Sequence, residues 1–298
     1  MELLRTPDER FKNLPDFPFE PNYLEIDGIR IHYIDEGPKD AEVVLLMHGE
    51  PSWSFLYRHM IPIIVKAGYR AIAPDLVGFG RSDKPAKQSD HTYRKHVEWI
   101  TKWVIALDLK NITLFCQDWG SLIGLRVAIE HQERFSRIIL SNGGLPTGEQ
   151  RHSKAFFEWK EFSKTTPKFY VGRIVQGGVK TKLSRSVIKA YDAPFPDETY
   201  KAGPKIMPSL VPTSIEDPEY EVNKSASEKY SQWQKPFLTA FSDGDPITKG
   251  GERYWINHIP GAKDQKHTIL QGGGHFIQED KGPELAKIII EFIKDNPI

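Results

Sequence analysis

The run Leu114-Phe115-Cys116-Gln117-Asp118-Trp119-Gly120 sets a carboxylate at the centre of what reads as a nucleophile elbow, a tight turn from a strand into a helix. Small residues flank such a turn so that neighbouring backbone can pass close to the nucleophile, and Cys116 and Gly120 hold those positions. Apolar residues from Ile112 to Phe115 supply the strand, and Leu122, Leu125, Val127, Ala128 and Ile129 supply a helix-like pattern after it. A serine here would give an acyl ester from a carbonyl substrate, but a dead-end ether from an sp3 carbon. An aspartate that displaces a leaving group from an sp3 carbon gives an alkyl ester, and water can then attack the aspartate's own carbonyl carbon. Turnover survives because the enzyme's acyl group is the one hydrolysed. The cycle needs a general base for that water, a residue to orient the base, and donors for the oxyanion on Asp118.

Ten histidines compete for the role of base, most of them in charged or amphipathic surroundings that suit a solvated side chain. His275 differs, because it follows a strand-like Thr268-Ile269-Leu270 and the run Gly272-Gly273-Gly274, which can bring the ring onto the carboxyl edge of a sheet. For the orienting acid, Pro236 to Phe241 reads as a buried strand that ends in the turn Ser242-Asp243-Gly244-Asp245-Pro246. Asp243 and Asp245 both compete there, and Asp-Gly and Asp-Pro are also ordinary turn chemistry. The oxyanion donors expected of an elbow are the backbone N–H of Trp119 and one from the loop after Val43–Met47. In that loop, His48-Gly49-Glu50-Pro51, the N–H of Glu50 is the candidate, with Gly49 allowing close approach and His48 read as a structural hydrogen-bonding residue.

Strand-like runs at Ile29–Tyr33, Val43–Met47, Tyr69–Ala73, Ile112–Phe115 and Arg137–Leu140 alternate with helical stretches such as His96–Leu107 and Leu122–His131. That alternation predicts a parallel α/β sheet flanked by helices. From about Gly144 to Thr213 the chain turns aromatic, lysine-rich and proline-rich, with helical pieces and no convincing strand. A helical stretch at Glu219–Gln234, strands at Phe237–Phe241 and Thr268–Leu270, and a final helix at Glu284–Lys294 follow. The expected organisation is an α/β core over 1–143 and 214–298 with a helical cap inserted over 144–213. Forty basic and forty acidic side chains cancel to +0, so no global field draws nucleic acid or an acidic membrane, and a small uncharged substrate fits better. With no long apolar run and an acidic N-terminus, the chain is expected to be cytoplasmic. A lone Cys116 and the lack of Cys/His ligand clusters predict neither an internal disulfide nor a metal site, and no cofactor is expected.

Taken together, His48–Trp53, Pro74–Asp83, the Asp118 elbow, Ala193–Asp197 and Gly274–Phe276 resemble the haloalkane dehalogenases of the α/β-hydrolase fold, over nearly the whole chain. The branch resembled is the one whose acid follows the seventh strand. The resemblance implies Asp118 as nucleophile, His275 as base and Asp245 as the acid, since the sister branch's position after the sixth strand reads Leu140-Ser141-Asn142-Gly143 with no carboxylate. It implies the indoles of Trp119 and Trp159 as donors to the departing halide, with Phe156 lining the apolar pocket, and a small halogenated substrate and water as the partners of a monomer. An indole N–H suits a halide because it donates without carrying charge, and so lets the ion leave. Epoxide hydrolases share the Asp-Trp elbow but need acidic cap donors, for which Tyr170 and Tyr191 are available. Fluoroacetate-type enzymes place arginines where Trp119 and Leu122 stand, and a catalytically silent binding protein would have lost a triad member.

Overall fold

The computed structural model describes residues 1–298. Its main sheet has eight strands: β1 (Asn22–Ile26), β2 (Ile29–Glu36), β3 (Val43–Met47), β4 (Arg70–Pro74), β5 (Ile112–Gln117), β6 (Phe135–Ser141), β7 (Phe237–Ser242) and β8 (Thr268–Leu270). They lie in the spatial order β1-β2-β4-β3-β5-β6-β7-β8. β2 runs antiparallel to both β1 and β4, and every other pairing is parallel. The fold is thus the expected α/β-hydrolase type with a mostly parallel sheet.

Helices cover both faces, which is why β3 and β5 are buried along their whole length and β3 reads as an unbroken apolar run. β1 went unread in the sequence, although its turn signal is present: Asp27 and Gly28 both take positive φ (52° and 78°), as a two-residue hairpin turn between right-twisted strands requires. From β3 the chain steps outward to β4 and then returns to the other side of β3 to form β5. The loops after β3 and β5 therefore diverge at the carboxyl end of the sheet, where open α/β sheets bind ligands. Glu50 and Asp118 sit on those two loops.

The flanking helices in the first half are α1 (Ile61–Lys66), α2 (Tyr93–Ala106) and α3 (Trp119–Glu130). Thr92 caps α2 by accepting from the Lys95 N–H, which starts that helix three residues before the expected His96. No strand occurs between β6 and β7. That stretch holds α4 (Lys154–Thr165), α5 (Val171–Gly177), α6 (Arg185–Asp192) and α7 (Ala202–Ile206), followed by α8 (Tyr220–Tyr230). Ser153 and Ser184 cap α4 and α6 through their hydroxyls.

These helices are tied to the sheet by more than apolar packing. Trp53 donates its indole N–H to the Ala190 carbonyl at 3.2 Å, and Arg10 donates to the Ala193 carbonyl at 2.7 Å. The Tyr191 hydroxyl donates to Glu279, whose other oxygen accepts from Arg58 at 2.8 Å.

After β7, α9 (Glu252–His258) precedes β8, and α10 (Ile277–Asp295) closes the chain. The sequence predicts the last helix only from Glu284. The reason for the difference is Pro283, which has no N–H to give, and a non-helical Lys281 (φ −136°, ψ 23°) that separates a first turn from the longer helix. No helix is long and apolar enough to cross a membrane.

Buried apolar residues form one continuous cluster that joins the sheet to Phe156, Phe169, Val171 and Tyr191 of the inserted helices. Ile139, at 0% exposure in β6, lies in its middle. Ile139→Ala should lower stability by about 2–5 kcal/mol through lost burial and a residual cavity, as read by urea unfolding. A loss below about 1 kcal/mol would mean that β6 does not anchor the core.

Candidate active site

β5 ends at Gln117, Asp118 takes φ 50° and ψ −131°, and α3 begins at Trp119. That conformation is costly for a residue with a Cβ and is held from both sides. The Asp118 N–H donates to the Asn142 carbonyl at 3.0 Å, and its carbonyl accepts from the Ser121 N–H at 2.8 Å. Two glycines make room. A Cβ on Gly120 would stand 2.1 Å from the Met47 carbonyl oxygen, and one on Gly49 would stand 2.1 Å from Asp118 Oδ1. The turn after β3 can therefore press against Asp118, and the Glu50 N–H donates to Asp118 Oδ1 at 2.6 Å.

His275 comes down from the loop after β8, with Nε2 3.4 Å from Asp118 Oδ2 and Nδ1 3.0 Å from Asp245 Oδ2. Asp245 is fully buried at the end of β7, where it also accepts from the Ile247 N–H at 2.9 Å and from the Thr248 hydroxyl. Asp243 faces elsewhere: its Oδ1 accepts from the N–H groups of Gly272 and Gly273 at 2.8 and 3.3 Å, bracing the glycine run that precedes His275. The two acids of the turn thus differ in contact, one on the ring and one on the loop that carries it.

Burial works against a charge on the His275 ring, but Asp245 and Asp118 outweigh it and raise its pKa well above the ordinary histidine value. Burial likewise pushes the Asp245 carboxyl up, and the imidazole, Thr248 and Ile247 together bring it below the usual carboxylate value.

Sequence reasoning overlooked the amides that hold this loop. Asn142 donates to the carbonyls of Gly274 and His275 at 2.9 and 3.0 Å and accepts from the Ser242 N–H at 2.9 Å. Gln117 adds a second bond to the His275 carbonyl at 3.2 Å. Asn142 was noted only for lacking a carboxylate, yet an amide at a strand end beside the elbow, able to donate and accept, was the available signal.

A cavity of about 820 Å³ opens over Asp118 and His275. Trp119, Phe156 and Trp159 line it, with Leu122 and Val211 adding apolar wall. Trp119 is buried with Tyr93 edge-on to its ring, centroids 5.1 Å apart. The Trp159 indole N–H points at Glu50, donating to Oε2 at 3.2 Å, while Glu50 Oε1 is buried without a partner. Burial and the nearby Asp118 charge raise the Glu50 carboxyl well above its ordinary value, against the opposing pull of Trp159 and His275.

Tyr170 and Tyr191 are not among the lining residues; Tyr170 is exposed and Tyr191 is buried against Glu279. His48 bridges two loops, with Nδ1 donating to the Gly49 carbonyl at 2.9 Å and Nε2 accepting from the Leu76 N–H at 2.9 Å. Cys116 is fully buried, and burial pushes its thiol up, away from reactivity.

A family model for the alpha/beta hydrolase fold matches residues 42–282. Over 302 aligned residues the chain is 54% identical to a haloalkane dehalogenase of Psychrobacter cryohalolentis, with 100% of both chains covered. It is 48% identical over 297 residues to a haloalkane dehalogenase of Mycolicibacterium paratuberculosis, covering 98% of each. Among solved structures, the tetrameric haloalkane dehalogenase DpaA from Paraglaciecola agarilytica superposes with a TM-score of 0.90 at 37% identity, over 96% of this chain and 97% of that one. The aspartate elbow, the imidazole beside it and full-length identities of this size agree: the chain belongs to the haloalkane dehalogenases of the α/β-hydrolase fold.

Proposed function

We propose that this chain hydrolyses carbon–halogen bonds of haloalkanes through an alkyl ester on Asp118, with His275 as base and Asp245 as the acid that orients it. The observation that carries the reading is the division of the Asp118 carboxylate, one oxygen on the Glu50 N–H and the other facing the imidazole. In the first half-reaction an Asp118 oxygen bonds to the substrate carbon as the carbon–halogen bond breaks, and the halide leaves with its electron pair. In the second, His275 Nε2 takes a proton from water and the hydroxide attacks the Asp118 acyl carbon. The oxyanion is held by the N–H groups of Glu50 and Trp119, each such donor contributing about 3–4 kcal/mol to the transition state. Collapse breaks the acyl–oxygen bond and returns the carboxylate; of the two protons that water brought, one leaves on the alcohol and the other passes from His275 to solvent. Residues 144–213 act as a cap that carries Phe156 and Trp159 over the cavity. Asp118, His275 and Asp245 meet within one chain, so the proposed chemistry asks for no residue of a partner subunit.

The order of events follows from the charges. In the resting site two carboxylates favour a protonated His275. Esterification neutralises Asp118 and removes one of them, so the imidazole becomes a competent base when water is needed. His275→Phe should therefore complete one alkylation and stop. After incubation with 1,2-dibromoethane, intact mass should show the ester on Asp118; an unmodified mass with no halide burst would overturn the assignment. Halide release from bromoalkanes, set beside diol formation from an epoxide, separates this reading from epoxide hydrolysis.

An ionised Asp245 fixes the tautomer of His275 and stabilises the imidazolium; asparagine does the first poorly and the second hardly at all. Asp245→Asn should slow ester hydrolysis by about 10²–10⁴-fold while sparing the first burst of halide. Asp243→Asn, which touches only the glycine run, should cost much less. The reverse ranking in steady-state rates would move the acid to Asp243.

Trp119 and Trp159 are proposed as the halide donors, and the Trp159–Glu50 bond sets a condition on the second. A halide on Trp159 must compete with the Glu50 carboxylate for one N–H and sits close to its charge. The neutral carboxyl is the form that a bound anion favours, so halide affinity should rise as pH falls through the elevated Glu50 titration. Asp118 and His275 face the same space, so Glu50→Gln is the control. It should flatten the part of the pH dependence that belongs to Glu50. Saturable quenching of tryptophan fluorescence by bromide reads this, and an unchanged slope in the variant would remove Glu50 from the account.

A further inference from the structure

The peptide that carries His275 is held on its core side by Asn142 and Gln117. Its other side meets the loop between α5 and α6, and there one carboxylate side chain bridges the two segments. Asp280, in the first turn of α10, accepts from the Gly274 N–H at 2.8 Å through Oδ2, and from the Thr181 N–H at 2.7 Å through Oδ1. The Lys180 N–H reaches both oxygens at 3.0 Å.

The same two segments press together without space. The Phe276 N–H donates to the Gly178 carbonyl at 3.2 Å, and a Cβ on Gly274 would stand 2.4 Å from that oxygen. Gly178, Val179 and Lys180 are also wall of the cavity over Asp118. One side chain thus joins the wall of the substrate cavity to the residue directly before the base.

We propose that Asp280 is a positioning residue for the hydrolytic half-reaction: by clamping the 178–181 loop to Gly274 it fixes the height of His275 above Asp118. The proposal rests on the roles given above to Asp118 and His275. It separates the two half-reactions, because alkylation uses the Asp118 oxygens and the halide donors, none of which Asp280 touches. A displacement of about 1 Å at a catalytic group costs about 10²-fold in rate, and charge-assisted bonds to three N–H groups are the kind that prevent it.

The test compares Asp280→Ala and Asp280→Asn with the parent and with His275→Phe, by rapid-mix halide release and by intact mass during turnover of 1,2-dibromoethane. Asparagine keeps one acceptor oxygen and turns its NH2 toward the remaining N–H groups, so it should release one of the two segments and give an intermediate effect even if the alanine variant folds poorly. The expected result is a halide burst within about twofold of the parent, a steady-state rate lower by about 10²-fold for alanine, and an ester on Asp118 that accumulates as it does in His275→Phe. If His275→Phe traps the ester while both Asp280 variants turn over without accumulating it, Asp280 has no part in positioning the base and the mechanism stands without it. If burst and steady state fall together, Asp280 only supports the fold. If no variant traps an ester, the covalent reading fails and the inference with it.

Discussion

The strained conformation of Asp118 is the constraint on which the rest of this structure depends. A non-glycine residue at φ 50° persists only where its surroundings leave no alternative. Here the alternatives are closed by backbone: Met47 against Gly120, Gly49 against the carboxylate, and the carbonyl of Asn142 on the Asp118 N–H. Each of those contacts comes from the carboxyl end of a central strand, β3, β5 or β6. The sheet therefore does more than support the site. Its strand order brings three loops to one point and makes the carboxylate project from the only place they leave open.

Around that point, charge is arranged in series. Three carboxylates, Glu50, Asp118 and Asp245, stand about a single imidazole, each with a different partner. Asp245 is fully buried and held by three donors, so its charge is fixed. The Asp118 charge is consumed and regenerated in the proposed cycle. Glu50 has one oxygen on an indole and one on nothing, and burial favours its neutral form. In the proposed cycle, a fixed, a cycling and a conditional charge around one ring time the proton transfers.

Much of this was legible in the sequence, and the parts that were not share a cause. The elbow could be read because strand, turn and helix each leave a local signature, and Gly49 and Gly274 mark places where a Cβ would collide with a neighbouring segment. The hairpin turn at Asp27-Gly28 was equally local and was missed by beginning the strands too late. The start of α10 was hidden because a kink at Lys281 and Pro283 cuts the apolar period in two. What Asn142, Gln117 and Asp280 hold lay beyond local reading. Their partners are distant in the chain, apart from the short reach from Asp280 to Gly274, and an amide or carboxylate that serves a distant backbone has no periodicity of its own. The choice between Asp243 and Asp245 lay between these cases: residues alone left it open, and contact with the ring distinguishes them.

The size of the cavity has a consequence for what can be told apart inside it. At about 820 Å³ it lies toward the upper end of ordinary small-molecule sites and exceeds what a short haloalkane fills. Such a space cannot grip a small tail by shape. Each additional methylene it buries is worth about 0.8 kcal/mol, roughly fourfold in affinity, and the gain is graded along the chain. At the halogen end the proposed indole donors are another matter, since directed N–H groups distinguish one leaving ion from the next by distance and angle. In the proposed reaction, discrimination is therefore sharp at the halogen end of the substrate and gradual along its tail.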